Sequence, residues 1–348
     1  MKKYSRPAWI LMLALMLAGC QKKDGQPANV EAGMTAIENG DYSGALTSFD
    51  AAIAGEDDLI RAYRGEGMAY MGLGEYEQAV QSFDLALEET KDRQKETRKD
   101  ILYYKATALY RQQEYSEAIR VCREILDIAK EGDAYYLTGA CYLEQGDEKA
   151  ASVNFDAAIQ AAPEDYELYL NIYEGYKEKM LSAKGDEYLQ QALQIEGTDK
   201  ESACNRARIH YYLENYEEAQ AQITELAGKK DPDALLLMGR IAFALEDYVR
   251  SAGMYEQYIA EIGETPEAYN GIALAEIAQQ DYDAALAAIQ KGLALDTEQG
   301  KRELYYNEIV VYEYKGDFGT AKGKAELYVT RYPTDEKGQK EYEFLQSR

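Results

Sequence analysis

Residues 63–86 read YRGEGMAYMGLGEYEQAVQSFDLA, and two short patterns run through this stretch. Each pattern has two large aromatic residues flanking a small one at intervals of three and four, a spacing that places all three on one helical face. Gly74 lies between the patterns, and glycine suits a helix end because it tolerates positive φ. The stretch therefore predicts a helix, a tight turn and a second helix whose backbones cross at small residues. The residues concerned are Tyr63, Gly67 and Tyr70, then Tyr76, Ala79 and Phe83.

The same unit recurs along the chain, and its marker is an acidic or amide residue followed by an aromatic one. The clear copies are Asp41-Tyr42, Glu75-Tyr76, Glu114-Tyr115, Asn215-Tyr216, Asp247-Tyr248, Asp281-Tyr282 and Asp317-Phe318. With two degenerate copies, at Glu148 and Ser182, the markers follow one another at intervals of 32 to 39 residues. The third residue after every marker is small, and the seventh is apolar. A period of this length indicates an array of stacked helical hairpins.

This pattern resembles the tetratricopeptide repeat, whose 34-residue unit places aromatic, Gly or Ala, Tyr, Ala, Phe and Ala at these offsets. The units around residues 63–86 and 135–163 match it best, and the stretch from Met180 to Gly185 departs from it because it carries no aromatic marker. The resemblance implies an all-α fold, a right-handed superhelical array of helix-turn-helix hairpins. About nine repeats are expected over residues 29–333, followed by a capping helix over residues 334–348.

The N-terminus carries a second motif. Three basic residues within the first six precede an apolar run at positions 8–18, which is too short to span a bilayer but has the length of a signal-peptide core. The run ends in Leu17-Ala18-Gly19-Cys20, which resembles the bacterial lipobox. We expect residues 1–19 to be a lipoprotein signal peptide and residues 20–28 a lipidated linker. The alternative is an ordinary secretory signal with an incidental cysteine.

The lipobox resemblance implies a diacylglyceryl group on Cys20, an anchor of two acyl chains that holds more firmly than a single chain. It places the mature protein outside the cytoplasm, in the bacterial cell envelope and attached to a membrane.

The net charge of −25 disfavours nucleic acid as a partner, because such binding rests on basic side chains that neutralise phosphate. Partners recruited by charge should instead carry basic patches.

Residues able to perform catalysis are few. His210 is the only histidine, and it occupies the place held by Tyr70 and Tyr142 in better-matched units, so we expect it to pack within the repeat. A histidine-rich metal site is excluded by that count, and no glycine-rich phosphate loop, CxxC or HExxH motif is present. The sequence thus predicts a protein without enzymatic activity, cofactor or metal, and a hydrolase is the weakest of the functional hypotheses.

Cys122 and Cys141 occupy core positions on neighbouring helices of adjacent units, so a disulfide between them is geometrically conceivable. With Cys20 lipidated, three cysteines remain, and an odd number argues against a designed disulfide framework.

The resemblance also implies where a partner binds, because the first helix of each unit lines the inner, concave wall of such arrays. Mapped onto this chain, the candidate groove residues are Met68, Met71, Tyr103, Tyr110, Tyr136, Arg208, Tyr211, Tyr212, Arg240, Phe243 and Tyr306. A largely apolar, aromatic wall on an acidic protein favours binding of a peptide or helix. The alternative is that these side chains pack against neighbouring repeats.

Two functions follow from the sequence. The first is a membrane-anchored extracytoplasmic adaptor that holds a protein or peptide partner in its concave groove. The alternative is an envelope-assembly lipoprotein that binds cell-wall glycan or a component of a secretion system or pilus.

Overall fold

The computed structural model describes residues 28–91, 93–333 and 335–348. The predicted signal peptide and the lipidation of Cys20 lie outside these residues. Within the described ranges the chain forms 19 helices and no strand, so the expected all-α helical solenoid of tetratricopeptide-type hairpins is confirmed. In the same ranges, no helix combines the length and apolarity that crossing a bilayer requires.

The helices fall into two compact units that divide at the end of the tenth helix, between residues 191 and 192. In the N-terminal unit, α1 to α10 span Ala28–Glu38, Tyr42–Ala54, Leu59–Leu73, Tyr76–Glu89, Lys95–Arg111, Tyr115–Ile128, Gly132–Glu144, Glu148–Ala161, Tyr166–Glu178 and Ser182–Ala192. In the C-terminal unit, α11 to α19 span Lys200–Tyr212, Tyr216–Gly228, Pro232–Ala244, Tyr248–Glu261, Pro266–Ala278, Tyr282–Ala294, Lys301–Tyr314, Phe318–Arg331 and Glu336–Gln346. Odd-numbered helices are the first helices of the hairpins, and even-numbered helices are the second; α19 follows the last hairpin.

The marker of each repeat has a structural explanation at the turn. In all seven clear copies the second helix begins at the marker aromatic. An aspartate directly before the helix caps it in five hairpins, four of the clear copies and the degenerate copy at Glu148. Each aspartate accepts a backbone N–H three residues on, which satisfies an otherwise unpaired donor. These caps are Asp41, Asp147, Asp247, Asp281 and Asp317. The marker is therefore a helix start signal.

One residue before the cap, every hairpin turn has a residue in the left-handed region, with φ between 60° and 81°. These residues are Gly40, Gly74, Gln113, Gly146, Met180, Glu214, Glu246, Gln280 and Gly316. Four of the nine are glycine, among them Gly74, which the sequence placed at a helix end, and glycine adopts this conformation without a Cβ clash. The other five turns take the same shape with a side chain present, so the turn geometry is imposed by helix packing as well as by residue type.

Between the helices, the core is built from aromatic rings seated against glycines. Phe49 and Phe83 are both completely buried. A Cβ added at Gly67 would lie 2.5 Å from Cε1 of Phe83, and one added at Gly33 would lie 2.6 Å from the ring of Phe49. Those distances are shorter than any carbon–carbon contact allows, so only glycine lets the ring fit against the facing helix.

The fifth hairpin, whose marker is degenerate, packs a glycine against a ring with the two helices exchanged, the glycine on its second helix and the ring on its first. Gly185 lies against the ring of Tyr173, where an added Cβ would meet Cδ2 at 2.9 Å. Tyr176 and Tyr188 stack with centroids 5.8 Å apart, and Leu189 is completely buried. The hairpin therefore still buries large side chains between its helices despite the departure seen in the sequence.

The close packing of aromatic rings against glycines allows a test of the fold. In Gly67→Ala the new methyl must displace the Phe83 ring, so we expect a loss of about 1–3 kcal/mol in the free energy of unfolding. Gly253→Ala on α14 is the matched control, because its Cβ would meet nothing within 4 Å. The control should gain about 0.5–1 kcal/mol from lower backbone entropy. Urea unfolding followed by circular dichroism measures both, and shifts of the same sign would refute the steric account.

Candidate partner-binding wall

Within each unit the first helices contact one another as well as their own partners. In the N-terminal unit α1, α3, α5, α7 and α9 do so in succession, and in the C-terminal unit α11, α13, α15 and α17 do so. The second helices contact chiefly the first helices on either side of them. We call the accessible surface of the first helices the inner wall of each unit.

All eleven predicted groove residues lie on first helices, but they differ in exposure. Met68, Tyr103 and Tyr136 are buried, each with at most 9% of its surface exposed. Arg240 is exposed. The half-buried residues are Met71, Tyr110, Arg208, Tyr211, Tyr212, Phe243 and Tyr306. Burial of the first three places them in the packing between repeats, which is the alternative that the sequence left open for the whole set.

A ladder of polar contacts joins successive first helices across the inner wall of the N-terminal unit. Arg61 Nη2 lies 2.6 Å from Glu31 Oε1, and Arg64 Nε lies 2.5 Å from Asp100 Oδ2. Lys99 Nζ contacts Glu131 Oε1 at 2.6 Å. The hydroxyl of Tyr103 donates to the other oxygen of Glu131 at 2.8 Å. Each contact links residues about one repeat apart, so neighbouring repeats of this unit are joined along the wall.

The C-terminal unit carries the same kind of ladder. Arg240 Nη2 lies 2.5 Å from Glu267 Oε1, and the amide of Asn307 donates to Asn270 at 2.7 Å. The hydroxyl of Tyr306 donates to Glu341 on α19 at 3.1 Å. Among the predicted groove residues, Tyr103, Arg240 and Tyr306 thus use their polar groups to hold the next element. Sequence periodicity missed this role because it identifies a helical face but not the partner across it.

Several half-buried rings of the inner wall pack against the marker aromatic of the same hairpin. Tyr110 packs against Tyr115 with ring centroids 5.6 Å apart. The same arrangement recurs at Tyr211 with Tyr216, at 5.7 Å, and at Phe243 with Tyr248, at 5.2 Å. In each pair the wall residue precedes the marker aromatic by five positions. The second ring holds the first in place while leaving part of its surface accessible.

Titratable groups in the interior owe their perturbed pKa values mainly to burial. Cys122 and Cys141 are free thiols, not bridged. Burial raises the pKa of Cys122 to about 12 and that of Cys141 in the same direction, so both stay protonated and unreactive. Burial lowers the pKa of His210, whose Nδ1 is enclosed without a hydrogen-bond partner. The imidazole is therefore neutral, and it is half-buried rather than fully in the core.

A carboxyl pair lies where α19 meets α17. Burial, together with the neighbouring carboxyl of Glu341, raises the pKa of Glu313 to about 7, while the charge of Arg348 opposes the shift. Glu341 accepts from Tyr306, and Nζ of Lys337 lies 3.8 Å from the centroid of that ring. The pair therefore belongs to the docking of the terminal helix. Elsewhere in the described chain, no cluster of three or more His, Cys, Asp or Glu side chains is arranged to hold a metal.

Comparison with protein families agrees with this architecture. A model described as tetratricopeptide repeat matches residues 30–94, 204–264 and 236–300, and a second model with the same description matches residues 132–165. Together the matches span more than half of the chain. The chain belongs to the tetratricopeptide-repeat family. Such a scaffold supports a role in protein interaction, and proteins of the family are generally non-catalytic.

Among solved structures, the chain is similar to several helical-repeat proteins. A tetratricopeptide repeat protein from Parabacteroides merdae is 17% identical, with 82% of this chain and 95% of that one covered and a TM-score of 0.44. MamA from Desulfovibrio magneticus is 18% identical, with coverage of 49% and 97% and a TM-score of 0.41. For pilF of Pseudomonas aeruginosa the identity is 18%, the coverage 62% and 96%, and the TM-score 0.39. No curated protein matches the sequence. At these identities and TM-scores, nothing about function passes from these proteins to this chain.

Some wall residues hydrogen-bond to the next repeat, whereas others keep an accessible ring. Removing one hydroxyl group from a residue of each kind tests this distinction. Tyr103→Phe removes the hydrogen bond to Glu131, so we expect it to cost about 1 kcal/mol of stability. Tyr211 is the control because, within the described residues, its hydroxyl makes no hydrogen bond, while its ring packs on Tyr212 and Tyr216. Tyr211→Phe should change stability by less than about 0.5 kcal/mol. Thermal unfolding of both variants measures the difference, and equal losses would argue against the assignment.

Proposed function

We propose that this protein is a membrane-anchored, extracytoplasmic adaptor that holds a protein or peptide partner on its inner wall. The observation that carries the proposal is the set of half-buried rings supported from behind by marker aromatics. In the C-terminal unit these are Tyr211 and Phe243, backed by Tyr216 and Tyr248. Aromatic side chains held in one orientation are typical of binding hot spots, because they bury a large area with little loss of conformational freedom.

The polar ladder supports the same conclusion. Cross-links such as Arg240 with Glu267 hold neighbouring first helices at a defined separation. A wall that is already ordered loses little entropy when it binds, so a larger share of the contact energy appears as affinity. The acidic surface, with a net charge of −25, adds long-range attraction for a partner with basic patches.

Anchoring is supported by the sequence motif that ends at Cys20. A thiol directly after small residues at the end of an apolar run is the arrangement that lipoprotein processing uses, and two acyl chains give a durable membrane attachment. The chain from position 28 onward would then face the space outside the cytoplasm, where it meets envelope or surface partners.

The inner wall can be tested by photo-crosslinking in cells. A photoreactive phenylalanine analogue at position 211 or 243 should yield one discrete adduct, because both side chains face the proposed partner. The same analogue at position 249 or 327, whose side chains are 73% and 67% exposed on second helices, is the control and should yield none. The double variant Tyr211→Ala/Phe243→Ala should abolish capture of that partner while the helical circular dichroism spectrum persists. Equal adducts at all four positions would contradict a wall-specific partner.

The anchor has its own test. We expect the wild-type protein to incorporate radiolabelled palmitate and to fractionate with membranes. Cys20→Ala should remove the label and leave the apolar N-terminal segment uncleaved by the lipoprotein peptidase. Cys204→Ala is the control, since that thiol lies within α11 and should leave labelling unchanged. Labelling that survives in Cys20→Ala would rule out this lipidation site.

A further inference from the structure

The terminal helix α19 covers the last hairpin of the C-terminal unit. Leu345 is almost completely buried and joins a core cluster with Ile309 of α17 and Tyr328 of α18. Gly338 lies so close to the ring of Tyr328 that an added Cβ would overlap it. The helix therefore closes the apolar surface that the last hairpin would otherwise leave open.

A carboxyl group occupies an unusual position under this helix. The residue five positions before the start of the second helix is apolar in the three preceding hairpins of the unit, where it is Tyr211, Phe243 and Ile277. In the last hairpin it is Glu313. Oε1 of Glu313 is buried and has no hydrogen-bond partner among the described residues. An ionised carboxylate at this place has lost water without gaining a donor, which is unfavourable.

A second carboxyl group, that of Glu341 on α19, faces Glu313. Glu341 accepts a hydrogen bond from Tyr306 of α17 at 3.1 Å, which fixes it at the contact between the two helices. Two neighbouring carboxylates repel each other when both are charged, so such a pair retains a proton to a higher pH than an isolated carboxyl. Burial and then the charge of Glu341 accordingly raise the pKa of Glu313 to about 7.

The sides of α17 that face the other helices carry matched polar groups. These are Lys315 with Asp283 of α16, Glu308 with Lys324 of α18, and Asn307 with Asn270 of α15. In the terminal segment, the guanidinium of Arg348 acts on Glu313 and favours its ionised form. Nζ of Lys337 lies over the ring of Tyr306, 3.8 Å from its centroid. The charge where α17 meets α19 therefore depends mainly on how many protons the carboxyl pair holds.

We propose that α19 is a proton-controlled cap, docked firmly while Glu313 and Glu341 share one proton and loosened once both carboxyls are ionised. Loosening uncovers Ile309 and Tyr328, which form an apolar surface of the kind on which hairpins stack. The inference concerns the C-terminal unit alone and depends neither on the proposed partner nor on the anchor.

The direction of the effect follows from the pKa of Glu313. In the docked state this pKa is about 7, above the ordinary value of 4.5 that applies when the helix is released. Protons therefore bind the docked state more tightly. The stabilisation is fully present below pH 4.5, and it is lost as the pH rises through about 7.

Hydrogen exchange of the full-length protein in detergent, followed by mass spectrometry at pH 5.5 and pH 8.5, tests the cap. Protection is expressed relative to an unstructured chain at the same pH, which removes the intrinsic pH dependence of exchange. We expect peptides from α19 to lose about tenfold in protection between the two pH values, because docking opens more readily. Peptides from α15 are the internal control for general charge repulsion and should lose little.

Matched variants assign the effect to the carboxyl pair. Glu313→Gln keeps the shape of the side chain but cannot ionise, so it should abolish the pH-dependent loss in α19. Glu341→Gln removes the facing charge and should lessen the loss. Glu343→Gln, on the exposed side of α19, removes one charge elsewhere and should retain it in full. Constant protection of α19 in the wild type, an undiminished loss in Glu313→Gln, or an equal loss in α15 would overturn the proposal.

Discussion

The structure depends on one kind of contact, a large side chain of a second helix that packs between the first helices on both sides of it, in two hairpins against a glycine on each. Phe49 shows it most clearly, because its ring lies against Gly33 on α1 and against Gly65 on α3. Tyr255 does the same between Gly239 and Gly271. One ring therefore closes its own hairpin and also binds the next hairpin to it. A single hairpin cannot bury such a ring from both sides, which is why the hairpins are stable only as a stack.

The inner wall follows from this contact. Because the rings draw the first helices together, side chains at the start of one first helix reach the start of the next. Arg64 with Asp100 and Lys99 with Glu131 are separated by about one repeat in sequence yet in direct contact. Partly exposed ion pairs contribute little stability individually. Their more important effect is to assign basic side chains to fixed partners, which leaves the aromatic rings as the accessible part of the wall.

The sequence predicted the repeat, the helical pairing and the turns, because all three depend on local spacing. The period of 3.6 residues identifies which face a residue occupies, and the markers show where helices begin. This spacing does not show how deeply a side chain is buried between two neighbouring hairpins. Tyr103 and Tyr211 occupy the same face of their helices, yet Tyr103 is buried against Glu131 of the next repeat while Tyr211 keeps an accessible ring. That difference depends on the distance between neighbouring hairpins, which the spacing within a hairpin does not contain.

Charge and contact act at different distances in this molecule. A net charge of −25 attracts basic molecules of every kind, but salt screens it beyond about 8 Å at physiological ionic strength. Such attraction speeds encounter without choosing among partners. Selection must come from places where charge and shape coincide. On the inner wall the carboxylates of the ladder, such as Asp100, Glu131 and Glu267, already face a base, whereas the half-buried rings of Tyr211 and Phe243 keep accessible surface. A partner would therefore be distinguished by where its apolar side chains meet these rings, rather than by how many basic residues it carries.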